Sequence, residues 1–119
     1  MKTTIRRDYT FSAAHWLPDV ERGHKCGRLH GHNYKVSLFV TGKLTKGMVM
    51  DFADIDTLAQ PIMAMFDHNC LNDTLRNPTS ENLAAFIMGE LSKKGRTLKG
   101  LVAVEVSETD KSAARVERD

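Results

Sequence analysis

The sequence predicts an α+β fold with its elements in the order ββααββ. Three observations carry that expectation. Both ends of the chain alternate apolar and polar residues with the period of two that a half-buried strand requires. Between about Met50 and Gly95 the apolar residues recur instead at helical spacing. Runs rich in Gly, Pro, Asp and Asn separate these segments, with no internal repeat and no low-complexity linker, so residues 1–119 read as a single domain.

The first strand is expected over "TTIRRDYTFSAA", residues 3 to 14, where Ile5, Tyr9, Phe11 and Ala13 fall on one side and His15 continues that row. "WLPDVERGHKCGRL", residues 16 to 29, has no period and carries Pro18, Gly23 and Gly27, so it reads as a loop that contains Cys26. A second strand follows from about His32 to Thr41, with Tyr34, Val36, Leu38 and Val40 on one face. Period-two counting sends His30 and His32 to that same face.

"MDFADIDTLAQPIMAMF" predicts a helix capped by Asp51, with Phe52, Ile55, Leu58, Ala59, Ile62, Met63 and Phe66 at helical spacing and Pro61 as a kink site. "DHNCLND" is a loop. "NPTSENLAAFIMGELSKKG" predicts a second helix, capped by Thr79 or Ser80, faced by Leu83, Phe86, Ile87 and Leu91, and stopped at Gly95. A third strand over "LKGLVAVEVSE", residues 98 to 108, puts Val102, Val104 and Val106 in one row that Glu108 extends. "SAARVERD" is the fourth strand.

Composition excludes several classes. Seventeen basic and 15 acidic residues give a net charge of +2, and the signs are mixed, so no nucleic-acid footprint is present. No apolar run approaches the ~20 residues that span a bilayer, and "MKTTIRRDYTF" has no apolar signal-peptide run. With Cys26 and Cys70 too few for a disulfide framework, a reduced, cytoplasmic setting is the expectation. A chain of this length buries only about two thirds of its unfolded surface, so a bound metal or subunit contacts are expected to support it.

The chemistry-bearing residues concentrate around "CGRLHGHNY". His30 and His32 share a face, and His15 ends the neighbouring strand on a row that can be the same one, which makes a three-imidazole zinc site plausible. His-x-His alone is a weak signal, equally suited to ordinary half-buried strand histidines. Three readings of Cys26 are open: a fourth ligand closing a structural shell, a thiolate acting on substrate beside Lys25 and Arg28, or a small buried filler. Asp67-His68 suits an oriented acid/base pair or a plain helix end, and Glu108, at the end of an apolar row, calls for a partner if it is buried.

Taken together, "FSAAH", "CGRLHGHNY", "MVMDF", "FDHNCLN", "NPTSENLA" and "VEVSET" resemble, in order and over nearly the whole chain, the 6-pyruvoyl-tetrahydropterin synthase family. The short Cys-x-x-x-His-Gly-His spacing is similar to its bacterial 6-carboxy-tetrahydropterin synthase branch, which serves queuosine and other deazapurine pathways. The resemblance implies that His15, His30 and His32 bind Zn²⁺, and that Cys26, Asp67 and His68 are catalytic. It also implies that Glu108 anchors a pterin ring with Thr79, Ser80 and Glu81 nearby. The implied substrate is a pterin triphosphate, 7,8-dihydroneopterin triphosphate. The implied architecture is the tunnelling fold, in which three subunits close one antiparallel barrel, two trimers stack into a hexamer, and active sites lie between subunits. Cys70 and the "ARVERD" end carry no assigned role.

Overall fold

The computed structural model describes all 119 residues, Met1–Asp119. One antiparallel sheet in the order β1-β2-β3-β4 is formed by β1 (Thr3–His15), β2 (His30–Gly42), β3 (Leu101–Thr109) and β4 (Ser112–Glu117). Helices α1 (Phe52–Phe66) and α2 (Ser80–Glu90) sit between β2 and β3 in the chain. The ββααββ order and the two-helix, four-strand composition are those that the hydrophobic periodicities predict.

Both helices cover one face of the sheet. Phe11, Tyr34, Val36, Leu38, Val40, Leu101, Val104 and Val106 point into the same buried cluster as Ile55, Ile62 and Phe66 of α1 and Leu83 and Ile87 of α2. Phe11 bridges the layers, stacking on Tyr34 at 5.2 Å and on Phe66 at 5.7 Å between ring centroids. The opposite face carries Ser12, Asn33, Lys35, Ser37, Glu105 and Ser107, a polar alternation typical of a sheet with one packed face.

β4 stops at Glu117, two residues short of the expected "SAARVERD", and two other strand boundaries differ from expectation. β2 begins at His30, two residues early, because His30 pairs directly with His15 and Gly31 with Ala14, so the ladder reaches the end of β1. β3 begins at Leu101, and a bulge opposite Phe39 and Val40 breaks its alternation. Leu101 thereby takes the core position, 1% exposed, while Val102 drops out of the row that Val104 and Val106 continue. Gly100 makes this possible: its φ of 84° is left-handed, and a Cβ there would lie 2.4 Å from the Thr41 carbonyl oxygen, whose residue's N–H donates to Gly100 O at 2.8 Å.

Asp51 caps α1 by accepting from Ala53 N at 2.8 Å, and the helix runs through Pro61, which faces solvent and forfeits one backbone hydrogen bond. Phe52 lies at the rim of the helix rather than in its buried face, under the Arg7 guanidinium at 5.3 Å. Thr79, and not Ser80, is the N-cap of α2, its hydroxyl accepting from Asn82 N at 3.1 Å. That helix ends at Glu90; Gly95 belongs to a later turn.

Candidate active site

Strand register brings the first three candidate residues together. His15 and His30 are cross-strand partners at the matching ends of β1 and β2, and His32 lies two residues along β2 on the same face. The three imidazoles each offer a ring nitrogen within 4.8 Å of the others. His15 is 1% exposed, and the other two are half-buried.

The hydrogen bonds of the rings define which nitrogen faces inward. His15 Nδ1 donates to Pro78 O at 2.8 Å, and His30 Nδ1 donates to Arg28 O at 2.7 Å, since a carbonyl can only accept. Where both rings are neutral, each therefore aims a lone pair from Nε2 at the other, across 2.9 Å. Two facing lone pairs repel unless a cation lies between or beside them. His32 Nε2, buried and without a hydrogen-bond partner, points to the same need. Carbonyl partners on the outer nitrogens are the usual support for metal-binding imidazoles, and three imidazoles are a donor set that zinc accepts. The residues fit a divalent metal. Burial pushes the protonation of His15 below the ordinary imidazole range, against the opposing pull of the Pro78 carbonyl and Glu108. A neutral ring is the form that ligates.

Glu108, from the end of β3, leans over the cluster, 3.5 Å from His32 Nε2 and 3.9 Å from His15 Nε2. Ser80, in the first turn of α2, donates its hydroxyl to Glu108 Oε1 at 3.3 Å. Thr79 is engaged in capping, and Glu81 is exposed in the same turn. A cavity of about 410 Å³, large enough for a small bicyclic ligand, is lined by Lys25, Cys26, His30, His32 and Glu108. Cys26 sits in a short 3-10 turn, Lys25–Gly27, which is held by His24 Nδ1 accepting from Cys26 N at 3.0 Å and by Leu17 N donating to Cys26 O at 2.9 Å. Its thiol stands outside the three-imidazole group.

Asp67 and His68 are paired but elsewhere. His68 Nδ1 is 3.0 Å from Asp67 Oδ2, and Asp67 Oδ1 accepts from Ser12 N at 3.0 Å. That backbone N–H, followed by the imidazole, holds the Asp67 carboxyl below the usual carboxylate range. Residues 67 to 70 run along the outer edge of β1, with His68 N donating to Ser12 O and Ala14 bridging Cys70. The His68 side chain is 83% exposed and borders a different cavity, with Ser12, Ala14 and Asn33, which shares only His32 with the first. Its φ of 60° is left-handed at the position after a helix end where glycine is usual.

Two contributors carry no legible signal in the sequence. Tyr34 packs its ring edge-on against His15 and His32, at 5.8 and 5.6 Å, and its buried hydroxyl has no partner; burial and the Glu108 charge push its ionisation up. Asn72 brackets the root of the loop, accepting from Trp16 N at 3.0 Å and donating to Trp16 O at 2.8 Å.

Residues 4–119 match the family model described as 6-pyruvoyl tetrahydropterin synthase. The chain belongs to this family. That makes it an enzyme of the pterin-synthase type, and its four-stranded sheet with two helices is the tunnelling fold. It is similar to the 6-carboxy-5,6,7,8-tetrahydropterin synthase of Synechocystis, 42% identical over 93% of this chain and 90% of that protein. A protein of Archaeoglobus fulgidus provisionally given the same name is 42% identical over 92% of this chain and 90% of its own length. The 6-pyruvoyl tetrahydropterin synthase structure of Caenorhabditis elegans superposes with a TM-score of 0.86 at 25% identity, covering 100% of this chain and 97% of that one. No helix is long and apolar enough to cross a membrane.

Proposed function

We propose that this protein is a zinc-dependent 6-carboxy-5,6,7,8-tetrahydropterin synthase. It would convert 7,8-dihydroneopterin triphosphate and one water to 6-carboxytetrahydropterin, acetaldehyde and triphosphate, as a step toward queuosine and related deazapurines. The observation that carries this reading is a three-imidazole cluster, two of whose rings, His30 and His32, line one cavity with the Cys26 thiol and the Glu108 carboxylate. The 42% identity to relatives bearing that name favours the carboxy branch.

His15, His30 and His32 would hold the metal, which when bound supplies Lewis-acid polarisation of the substrate's side-chain hydroxyls. Glu108 accepts N–H groups from the amino-pyrimidine edge of the ring, with its carboxylate steadied by the Ser80 hydroxyl. Thr79 and Glu81 border the same end. Fixing the ring in this way sets the reacting carbon against the thiolate of Cys26, which takes and returns a proton there. His68, oriented by Asp67, is the second proton-transfer group.

Because that pair stands on the exposed outer edge of β1, it would serve the site of a neighbouring copy. A homo-oligomer, a hexamer built as a dimer of trimers, is consistent with this. The chain measures 54 × 25 × 23 Å with a radius of gyration of 15.2 Å, more extended than the roughly 13.5 Å of a compact chain this long.

Incubating metal-replete protein with 7,8-dihydroneopterin triphosphate and following products by mass spectrometry tests the reading. Carboxytetrahydropterin with acetaldehyde is expected. A pyruvoyl product would move the protein to the sister 6-pyruvoyl activity, which the family model's own description keeps in view, as would cleavage of the sepiapterin side chain. Unchanged substrate would overturn the enzymatic assignment.

A further inference from the structure

The loop between β1 and β2 carries a charge pattern that the proton-transfer chemistry does not use. Its acids and bases are Asp19, Glu21, Arg22, His24, Lys25 and Arg28. Asp19 is consumed by a two-pronged pair with Arg76 outside the loop. Arg22, Lys25 and Arg28 are among the basic side chains that make no ion pair with a carboxylate of the chain, and they are the ones carried by the loop that borders the site.

These three unpaired cations stand around one turn. Lys25 lines the cavity with Cys26, His30, His32 and Glu108. Arg22 and Arg28, with His24, Trp16 and the carboxylate of Glu21, line a second cavity of about 290 Å³ that reaches Gly27 of the same turn. The turn is held by the His24 cap, and the loop root by Asn72, so the cations are displayed from an anchored segment. The first cavity thus has one anion, Glu108, and one cation, Lys25, with the thiol and the imidazoles as its remaining polar groups. A ligand matched to it has N–H donors at one end and an anionic group at the other.

We propose that Arg22, Lys25 and Arg28 form a polyphosphate-reading arm that sets the preference of the site for a triphosphorylated ligand over an unphosphorylated one. The inference rests on the pterin reading for the identity of the ring but not for the polyanion. With the ring end on Glu108, the phosphate chain leaves past Lys25 and over the turn, where guanidinium groups pair with phosphate oxygens in two-pronged fashion.

Equilibrium binding to the metal-replete protein tests this. Inorganic tripolyphosphate, dihydroneopterin triphosphate and unphosphorylated dihydroneopterin serve as probes, read by the fluorescence of Trp16, the sole tryptophan. Metal content is measured before and after each titration, because polyphosphate strips metal ions. The triple variant Arg22→Gln, Lys25→Gln, Arg28→Gln is expected to lose tripolyphosphate binding. Its affinity for the triphosphate ligand falls about tenfold or more, closing the gap to the unphosphorylated ligand. Added salt weakens triphosphate binding in the wild type and barely in the variant. Arg22→Lys with Arg28→Lys restores part of the preference, which guards against misfolding.

An equal loss for phosphorylated and unphosphorylated ligands would overturn the proposal and make Lys25 an electrostatic neighbour of Cys26. So would a wild type indifferent to tripolyphosphate, whether or not it turns over pterins. Conversely, a wild type that binds tripolyphosphate through these residues but no pterin keeps the arm and discards the pterin reading.

Discussion

His15 Nε2 and His30 Nε2 face each other at 2.9 Å while their outer nitrogens are committed to the carbonyls of Pro78 and Arg28. With both rings neutral that contact is repulsive, so bound metal should stabilise the fold as well as serve chemistry. Removing metal with a strong chelator is expected to lower Tm, and a hundredfold excess of metal over its dissociation constant to return about 2.7 kcal/mol. His30→Ala should abolish stoichiometric metal by elemental analysis while circular dichroism stays native. A chelator-insensitive Tm would refute the site.

Cys26 separates catalysis from a closed structural shell. On the proposed mechanism Cys26→Ala retains full metal content and Tm but loses turnover by roughly 10²–10⁴-fold, the usual worth of a proton-transfer group. Loss of metal and folding together would instead mark the thiol as a fourth ligand and the protein as a non-catalytic zinc module.

Glu108 accepts from Ser80 and leans on His32, yet it is predicted to act on the ring rather than on the metal. Glu108→Gln keeps the shape and removes the charge. Its kcat/KM should fall by about ten- to a hundredfold, in line with a charge-assisted hydrogen bond of roughly 1.5–3 kcal/mol, with metal content unchanged. Metal loss in this variant would assign the carboxylate to the metal instead.

His68 occupies a left-handed backbone position at φ 60°, which costs a non-glycine residue about 1 kcal/mol. His68→Gly should therefore leave Tm equal to or above that of the wild type while activity collapses. A residue retained against its own conformational preference is expected where chemistry needs it. An active His68→Gly enzyme would remove the residue from the mechanism.

Asp56 joins α1 to β1 by two bonds from Arg7, at 2.9 and 2.8 Å, and one from the Tyr9 hydroxyl. The Arg7 guanidinium, then Tyr9, holds its carboxyl below the usual carboxylate range. A depressed folded-state value contributes stability above the unfolded value, and that contribution is lost as pH falls through the folded one. Asp56→Asn should thus lower Tm at neutral pH, with the deficit shrinking as pH drops below about 4. A pH-independent deficit would show that the effect is packing alone.

Much of this was legible in the residue pattern because periodicity is a local property. Alternation in "TTIRRDYTFSAAH" and "HGHNYKVSLFV" by itself assigned His15, His30 and His32 to core-facing rows, and the capping chemistry of Asp51, and of Thr79 or Ser80, located both helix starts to within a residue. What it could not determine depends on pairing between distant segments. The ladder that carries β2 back to His30 exists because His15 is there to pair with it. The bulge that replaces Val102 with Leu101 in the core follows from the close approach of Gly100 to Thr41. Only the tertiary structure decided that Pro78 and Arg28 turn the imidazole nitrogens inward, that Cys26 shares a cavity with Glu108, and that Asp67 and His68 stand on the far edge of β1. Apart from the local Arg28–His30 bond, these are relationships between residues remote in sequence, set by the register and packing of the whole sheet.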